Sequence, residues 1–201
     1  MEILKKRILE DGIVLDGNIL KVDSFLNHQI DTHLLDDIGE EFYSRFSGEH
    51  ITKILTVESS GISVACAVGR IFKVPVLFAK KGNVKTLDES AFREQSYSFT
   101  KKESYFMNVS KRYLGPEDTI LIIDDFLANG LAIDALLGII DQSGARLAGV
   151  GIVIEKEFQK GGKKIREAGI RLESLARITS MAVSYTHLTL PTIILPCSSR
   201  W

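Results

Sequence analysis

The run Thr119-Ile-Leu-Ile-Ile-Asp-Asp-Phe-Leu-Ala-Asn-Gly130 constrains the fold more than any other part of the chain. An unbroken apolar, β-branched stretch of this kind is a strand buried on both faces, which places it inside a parallel sheet covered by helices. It delivers two adjacent carboxylates, Asp124 and Asp125, to the sheet's rim, and a loop of small residues then opens a helix near Gly130. Unpaired amides at a helix start, with the positive end of the helix dipole, make an anion site. A phosphate held there leaves a neighbouring sugar beside Asp124 and Asp125, whose oxygens can accept hydrogen bonds from two hydroxyls. Read alone, the same pair serves equally well as a turn and helix cap. The run has neither the Gly-Lys-Ser/Thr ending of a triphosphatase loop nor the dinucleotide fingerprint.

The surrounding pattern alternates between strand and helix. Residues 51–57, 74–79, 120–123 and 148–154 read as buried strands, and 62–72 and 131–142 as helices between them. Upstream, residues 2–10 form a short amphipathic helix stopped at Gly12. A second helix starts after Asp31, an N-cap, with Leu34, Ile38, Phe42 and Phe46 at helical spacing. The expected fold is α/β, a mostly parallel sheet flanked by helices. In such sheets ligands bind at the carboxyl ends of the strands. Those ends carry Glu58-Ser-Ser-Gly61, Lys80-Lys81, Asp124-Asp125 and Glu155-Lys156.

From Lys80 to about Tyr113 the periodicity is lost, and β-prone pieces suit a ribbon-like flap beside the site. Gln159-Lys-Gly-Gly-Lys-Lys164 reads as a solvated loop before a helix, and Cys66 as a small buried hydrophobe. His28, His33 and His50 are expected at the surface, without metal spacing. A net charge of −1 argues against broad nucleic-acid or anionic-membrane binding. The N-terminus lacks a signal peptide's apolar core, and no apolar run reaches membrane-spanning length, so the expected location is cytoplasmic.

Residues 181–201 differ in kind. They contain no Asp, Glu or Lys but hold the only tryptophan, and Val183-Ser-Tyr-Thr-His-Leu-Thr-Leu-Pro-Thr192 resembles translated sequencing-adapter sequence. The expectation is one domain over 1–180, with a hood at about 82–106, followed by a tail foreign to the fold. His187 and Cys197, which lie in that tail, are read as incidental.

The strand, acidic pair and small-residue loop resemble the signature of type I phosphoribosyltransferases, which bind 5-phosphoribosyl-1-pyrophosphate. Val57-Glu-Ser-Ser-Gly61 resembles that family's pyrophosphate loop, and the segment after Lys80 its flexible hood. Lys21-Val-Asp-Ser-Phe-Leu-Asn-His-Gln-Ile-Asp31, Asp124-Asp-Phe-Leu-Ala-Asn-Gly130, Gly151-Ile-Val-Ile-Glu-Lys-Glu-Phe158 and Glu173-Ser-Leu-Ala-Arg177 narrow the resemblance to bacterial xanthine phosphoribosyltransferases. The resemblance implies purine contacts at Leu20, Asn27 and Lys156, and a 5-phosphate held by Ala128, Asn129, Gly130, Leu131 and Ala132. It further implies a homodimer, and Mg²⁺ held mainly by substrate oxygens. Glu58, Ser59, Ser60 and Gly61, with Lys80 or Lys81, are the candidates for holding pyrophosphate. Transfer to hypoxanthine, guanine or adenine would need the same fold with different base contacts. A non-catalytic sensor of the same substrate would need a DNA-binding element, for which the N-terminal helix leaves no space.

Overall fold

The computed structural model describes residues 1–15, 19–82, 90–98 and 103–181. The elements run α1 (Glu2–Asp11), β1 (Ile13–Leu15), β2 (Ile19–Lys21), a π-helical turn (Asp23–Asn27) and α2 (Thr32–Phe46). These are followed by β3 (Lys53–Val57), α3 (Gly61–Phe72), β4 (Val76–Lys81), β5 (Ala91–Ser98) and β6 (Glu103–Ser110). The chain continues with β7 (Thr119–Leu127), α4 (Leu131–Ser143), β8 (Arg146–Lys156), α5 (Lys160–Glu167) and β9 (Leu172–Ile178). The main sheet has the order β5-β6-β4-β3-β7-β8-β9. Its five strands from β4 to β9 are parallel, while β5 and β6 join antiparallel at one edge. The expected α/β sheet is present, and β4, β3, β7 and β8, whose ends carry the four polar clusters, lie side by side.

Two apolar layers cover the sheet. On one side α1, α2 and α3 contribute Leu4, Ile8, Leu34, Ile38, Phe42, Phe46, Val64 and Val68. On the other, α4 and α5 contribute Ile133, Leu136, Ile139, Ile140 and Ile165. Helix α2 begins as its sequence demands, with Asp31 Oδ1 accepting the Leu34 amide at 3.1 Å. Its aromatic face rests on two glycines of β8. A Cβ at Gly149 would stand 2.7 Å from the Phe46 ring, and one at Gly151 would stand 2.8 Å from the Phe42 ring. These glycines are the flat floor on which two phenylalanines are seated.

Two readings are corrected. Cys66 is exposed, because Val64, Ala65 and Val68 take the inward face of α3 and Cys66 points the other way. Gln159–Lys164 is not a solvated loop: Lys160 to Lys164 already belong to α5, and Gly161 and Gly162 are buried. Of the segment expected as a hood at about 82–106, β6 continues to Ser110 and pairs with β4 at Lys80–Asn108 and Lys81–Met107. The ribbon is also fastened to α4. Gln142 exchanges hydrogen bonds with the Arg93 backbone at 3.3 and 3.0 Å, and Ser96 Oγ donates to Leu131 O at 3.3 Å. The part of the hood at 83–89 and 99–102, and the tail beyond 181, lie outside the described residues. His28, His33 and His50 are exposed, as expected.

Gly151→Ala tests the packing of α2 on β8. It is expected to lower unfolding free energy by about 1–3 kcal/mol, the usual range for overpacking a filled core, in denaturant titrations with an unchanged slope.

Candidate active site

Strand β7 is central, paired with β3 and β8, and its ordered stretch is longer than the apolar run implies. Asp124 and Asp125 therefore sit inside the strand and not in the loop after it. Both are almost fully buried, at 5% and 6% exposure. Asp124 Oδ1 accepts the Asp125 amide at 3.0 Å. Across from it, helix α3 starts at Gly61, where a Cβ would stand 2.6 Å from the same oxygen and would also collide with the Thr56 hydroxyl. Gly61 thus lets the start of α3 press against the first carboxylate. The buried Thr56 hydroxyl has no hydrogen-bond partner among the described residues.

Burial pushes the Asp124 carboxyl well above the usual carboxylate range, and the neighbouring charge of Asp125 pushes it in the same direction. The positive charge of Lys81 opposes both. Glu58, at the end of β3, accepts the Lys81 amide, and the Lys81 ammonium lies 5.9 Å from the centre of the Tyr105 ring. The ends of β3 and β4 are thus tied together beside the acidic pair.

Beyond β7 the chain turns through Ala128 and Asn129 to Gly130, whose φ of 85° is the left-handed conformation that glycine tolerates. Helix α4 follows immediately, so its unpaired first amides face the turn. This turn opens into a cavity of about 390 Å³. Ala128, Asn129, Gly130, Leu131 and Ala132 line it, and Lys156, the last residue of β8, closes one side. The Lys156 ammonium stands 5.5 Å from the centre of the Phe126 ring, and burial lowers its pKa below the usual lysine value. The five residues expected to hold the phosphate and the lysine expected to read the base are therefore brought into one cavity.

The other expected contacts are placed differently. Leu20 is buried at 6% exposure and Asn27 is exposed at the end of the π-helical turn. Neither lines this cavity, although Ile19, the neighbour of Leu20, does. Glu58, Ser59, Ser60, Gly61, Lys80 and Lys81 lie one and two strands away, meeting the acidic pair through Gly61. Gln159, Phe126, Tyr97 and Tyr105 also line the cavity and were not singled out from the sequence. The paired glycines at 161 and 162 were the one available signal for Gln159, since adjacent glycines at a helix start mark close backbone approach. Among the described residues no three His, Cys, Asp or Glu side chains gather around a common point, and no helix is long and apolar enough to cross a membrane.

A scan of protein-family models finds no match. Curated relatives match along nearly their whole length. A xanthine phosphoribosyltransferase of Ruminiclostridium cellulolyticum is 56% identical over 181 residues, covering 90% of this chain and 95% of the relative. One from Clostridium novyi is 55% identical over the same length, again covering 90% and 95%. The chain belongs to the xanthine phosphoribosyltransferase family. Solved structures agree on the fold. An adenine phosphoribosyltransferase of Giardia lamblia, complexed with 9-deazaadenine, superposes with a TM-score of 0.75 at 21% identity, covering 88% of this chain and 98% of that one. That of Rhodothermus marinus gives 0.74 at 16% identity, covering 89% and 100%. At such identities the likeness speaks for the type I fold alone. The fold is shared with adenine enzymes, so the base must be argued from the family and from side chains such as Lys156.

The elevated Asp124 pKa fixes a sign. The folded state holds that proton more tightly than the unfolded chain, so this carboxyl costs stability increasingly as pH rises above its ordinary value of 3.8. Asp124→Asn is therefore expected to gain thermal stability relative to the unmodified protein as pH is raised from 5 to 8. Parallel pH profiles for the two proteins would contradict the assignment.

Proposed function

We propose that this chain transfers the phosphoribosyl group of 5-phosphoribosyl-1-pyrophosphate to xanthine, giving xanthosine 5′-monophosphate and pyrophosphate. The carrying observation is the meeting of residues Ala128–Ala132 with Lys156 in one cavity beside a buried acidic pair. The 50–56% identity to curated xanthine phosphoribosyltransferases supports it.

In this reading the 5-phosphate accepts hydrogen bonds from amides at the start of α4. The ribose hydroxyls donate to Asp124 and Asp125, adding donors beside the Asp125 amide that Asp124 already accepts. Lys156 donates to a carbonyl oxygen of the purine, which favours oxopurines over adenine, and Phe126 flanks the same space with an apolar face. Leu20 and Asn27 are proposed to bound the purine from the N-terminal side, next to Ile19. Ser59, Ser60 and Gly61 with Lys80 or Lys81 hold pyrophosphate, and Glu58 braces them through the Lys81 amide.

Displacement at the anomeric carbon passes through an oxocarbenium-like state, and pyrophosphate is a good leaving group, so no covalent intermediate is needed. The Asp124 and Asp125 carboxylates stand where negative charge favours that developing cation. Oxygen ligands suit Mg²⁺, and substrate oxygens would supply most of them; the bound ion would neutralise the pyrophosphate as it leaves. Tyr97 and Tyr105 of the hood face the phosphate loop and restrict water's access to the sugar. We read residues 1–180 as one catalytic domain that acts as a homodimer in the cytoplasm and engages small molecules, not nucleic acid or membrane.

Initial rates with phosphoribosyl pyrophosphate, Mg²⁺ and each of xanthine, guanine, hypoxanthine and adenine are expected to give the highest kcat/KM for xanthine. A preference for adenine would overturn the base assignment, and no turnover with any base would indicate a sensor. Asp125→Asn is expected to lower kcat/KM by about 10- to 100-fold, the scale of a hydrogen bond to a charged group, with unchanged circular dichroism.

A further inference from the structure

Glu155 is the most deeply buried charged side chain among the described residues, 1% exposed, and the transfer chemistry does not use it. Arg166 grips it with both guanidinium arms, Nη1 donating to Oε1 and Nη2 to Oε2, each at 2.7 Å. Ser174 Oγ donates to Oε2 at 2.5 Å, and Arg177 Nε lies 3.8 Å from that oxygen. Burial alone would push this carboxyl up, but the Arg166 and Ser174 hydrogen bonds and the charges of Arg166 and Arg177 outweigh it and hold the carboxyl below the usual range.

What this pair fixes is the position of α5. That helix has eight residues, too few to be stable alone in water, so its place is set by its ties. Its first turn is in backbone contact with the phosphate loop. Gly161 donates its amide to Ala128 O at 3.0 Å, and a Cβ at Gly161 would stand 2.8 Å from Gly130 N. Lys164 reaches Asp134 in the first turn of α4 at 2.6 Å. Gly162 lies against the Glu155 carboxylate with no room for a Cβ. The bidentate geometry sets both the distance and the rotation of the helix. Glu155 directly precedes Lys156 on β8, and strand alternation sends one side chain to α5 and the other towards the cavity.

We propose that Glu155 and Arg166 are a positioning pair that holds the first turn of α5 against Ala128–Gly130 and so sets the place of the substrate's 5-phosphate. The inference rests on the reading of residues 128–132 as the phosphate loop.

Two variants of the full chain test it: Glu155→Gln, and the double Glu155→Gln/Arg166→Met, which leaves no buried charge unpaired. Ribose 5-phosphate is the probe, its affinity measured by calorimetry beside the KM for xanthine and the thermal midpoint. Both variants are expected to weaken ribose 5-phosphate by about tenfold, as small displacements of positioning groups do, while the KM for xanthine changes less than about twofold on the same scale. Arg166→Lys, which keeps the charge but loses the fork, is expected to fall between. A folded double variant with the original ribose 5-phosphate affinity would overturn the proposal, as would an equal loss of xanthine and ribose 5-phosphate binding that tracks the fall in thermal midpoint. If the unaltered protein fails to bind ribose 5-phosphate, the phosphate-loop reading itself falls, a result distinct from failure of the pair.

Discussion

Two carboxylates buried side by side in the central strand are the constraint around which the site is arranged. Asp124 and Asp125 would each be cheaper at the surface, because burying adjacent negative charges raises the free energy of the ionised form. The Asp125 amide and the Lys81 charge offset only part of this for Asp124, and Gly61 presses on it without a side chain. Strain of this sort persists when the surrounding packing dictates it, and it clusters where a ligand completes the arrangement. Here β3 pairs with β7 up to Ile122 and β8 pairs with it through Asp124 and Phe126, which keeps the pair inside the sheet.

A second feature is the way two helices share one turn. The proposed phosphate site belongs formally to α4, yet its back is made by the backbone of α5, with Gly130 and Gly161 in direct apposition. Side chains at either position would force the turn away from the helix, so two glycines far apart in sequence act as one structural unit. The buried Glu155 and its arginine partner belong to the same construction. At the opposite end of the sheet, Lys53 and Asp118 form a comparable tie at 2.8 Å. That pair joins the starts of β3 and β7, well away from the cavity, and reads as architecture alone.

Much of this was legible because the local signals agree with the global fold. The unbroken apolar strands and the Asp31 cap each have one physical interpretation, and the structure realises it. Other features were hidden for identifiable reasons. Lys160 to Lys164 look solvated because three lysines surround two glycines, but the glycines face inward and the lysine side chains outward. Cys66 looked buried because its neighbours are apolar, whereas only the 100° step along α3 decides which residue faces the core. Tyr97 and Tyr105 reach the cavity through the pairing of β5 with β6 and their docking on α4, contacts between residues distant in the chain. The register of the hood cannot be read from either strand alone.

The central claim is that one cavity holds phosphate on the α4 turn and purine beside Lys156, with the ribose on the acidic pair that precedes Phe126 and Leu127 of its lining. A crystal structure with xanthosine 5′-monophosphate tests it most directly. The account predicts the phosphate on the amides of residues 128–132, the ribose hydroxyls on Asp124 and Asp125, and a purine oxygen within hydrogen-bond distance of the Lys156 ammonium. A phosphate bound at Ser59–Gly61 with the base away from Lys156 would contradict it.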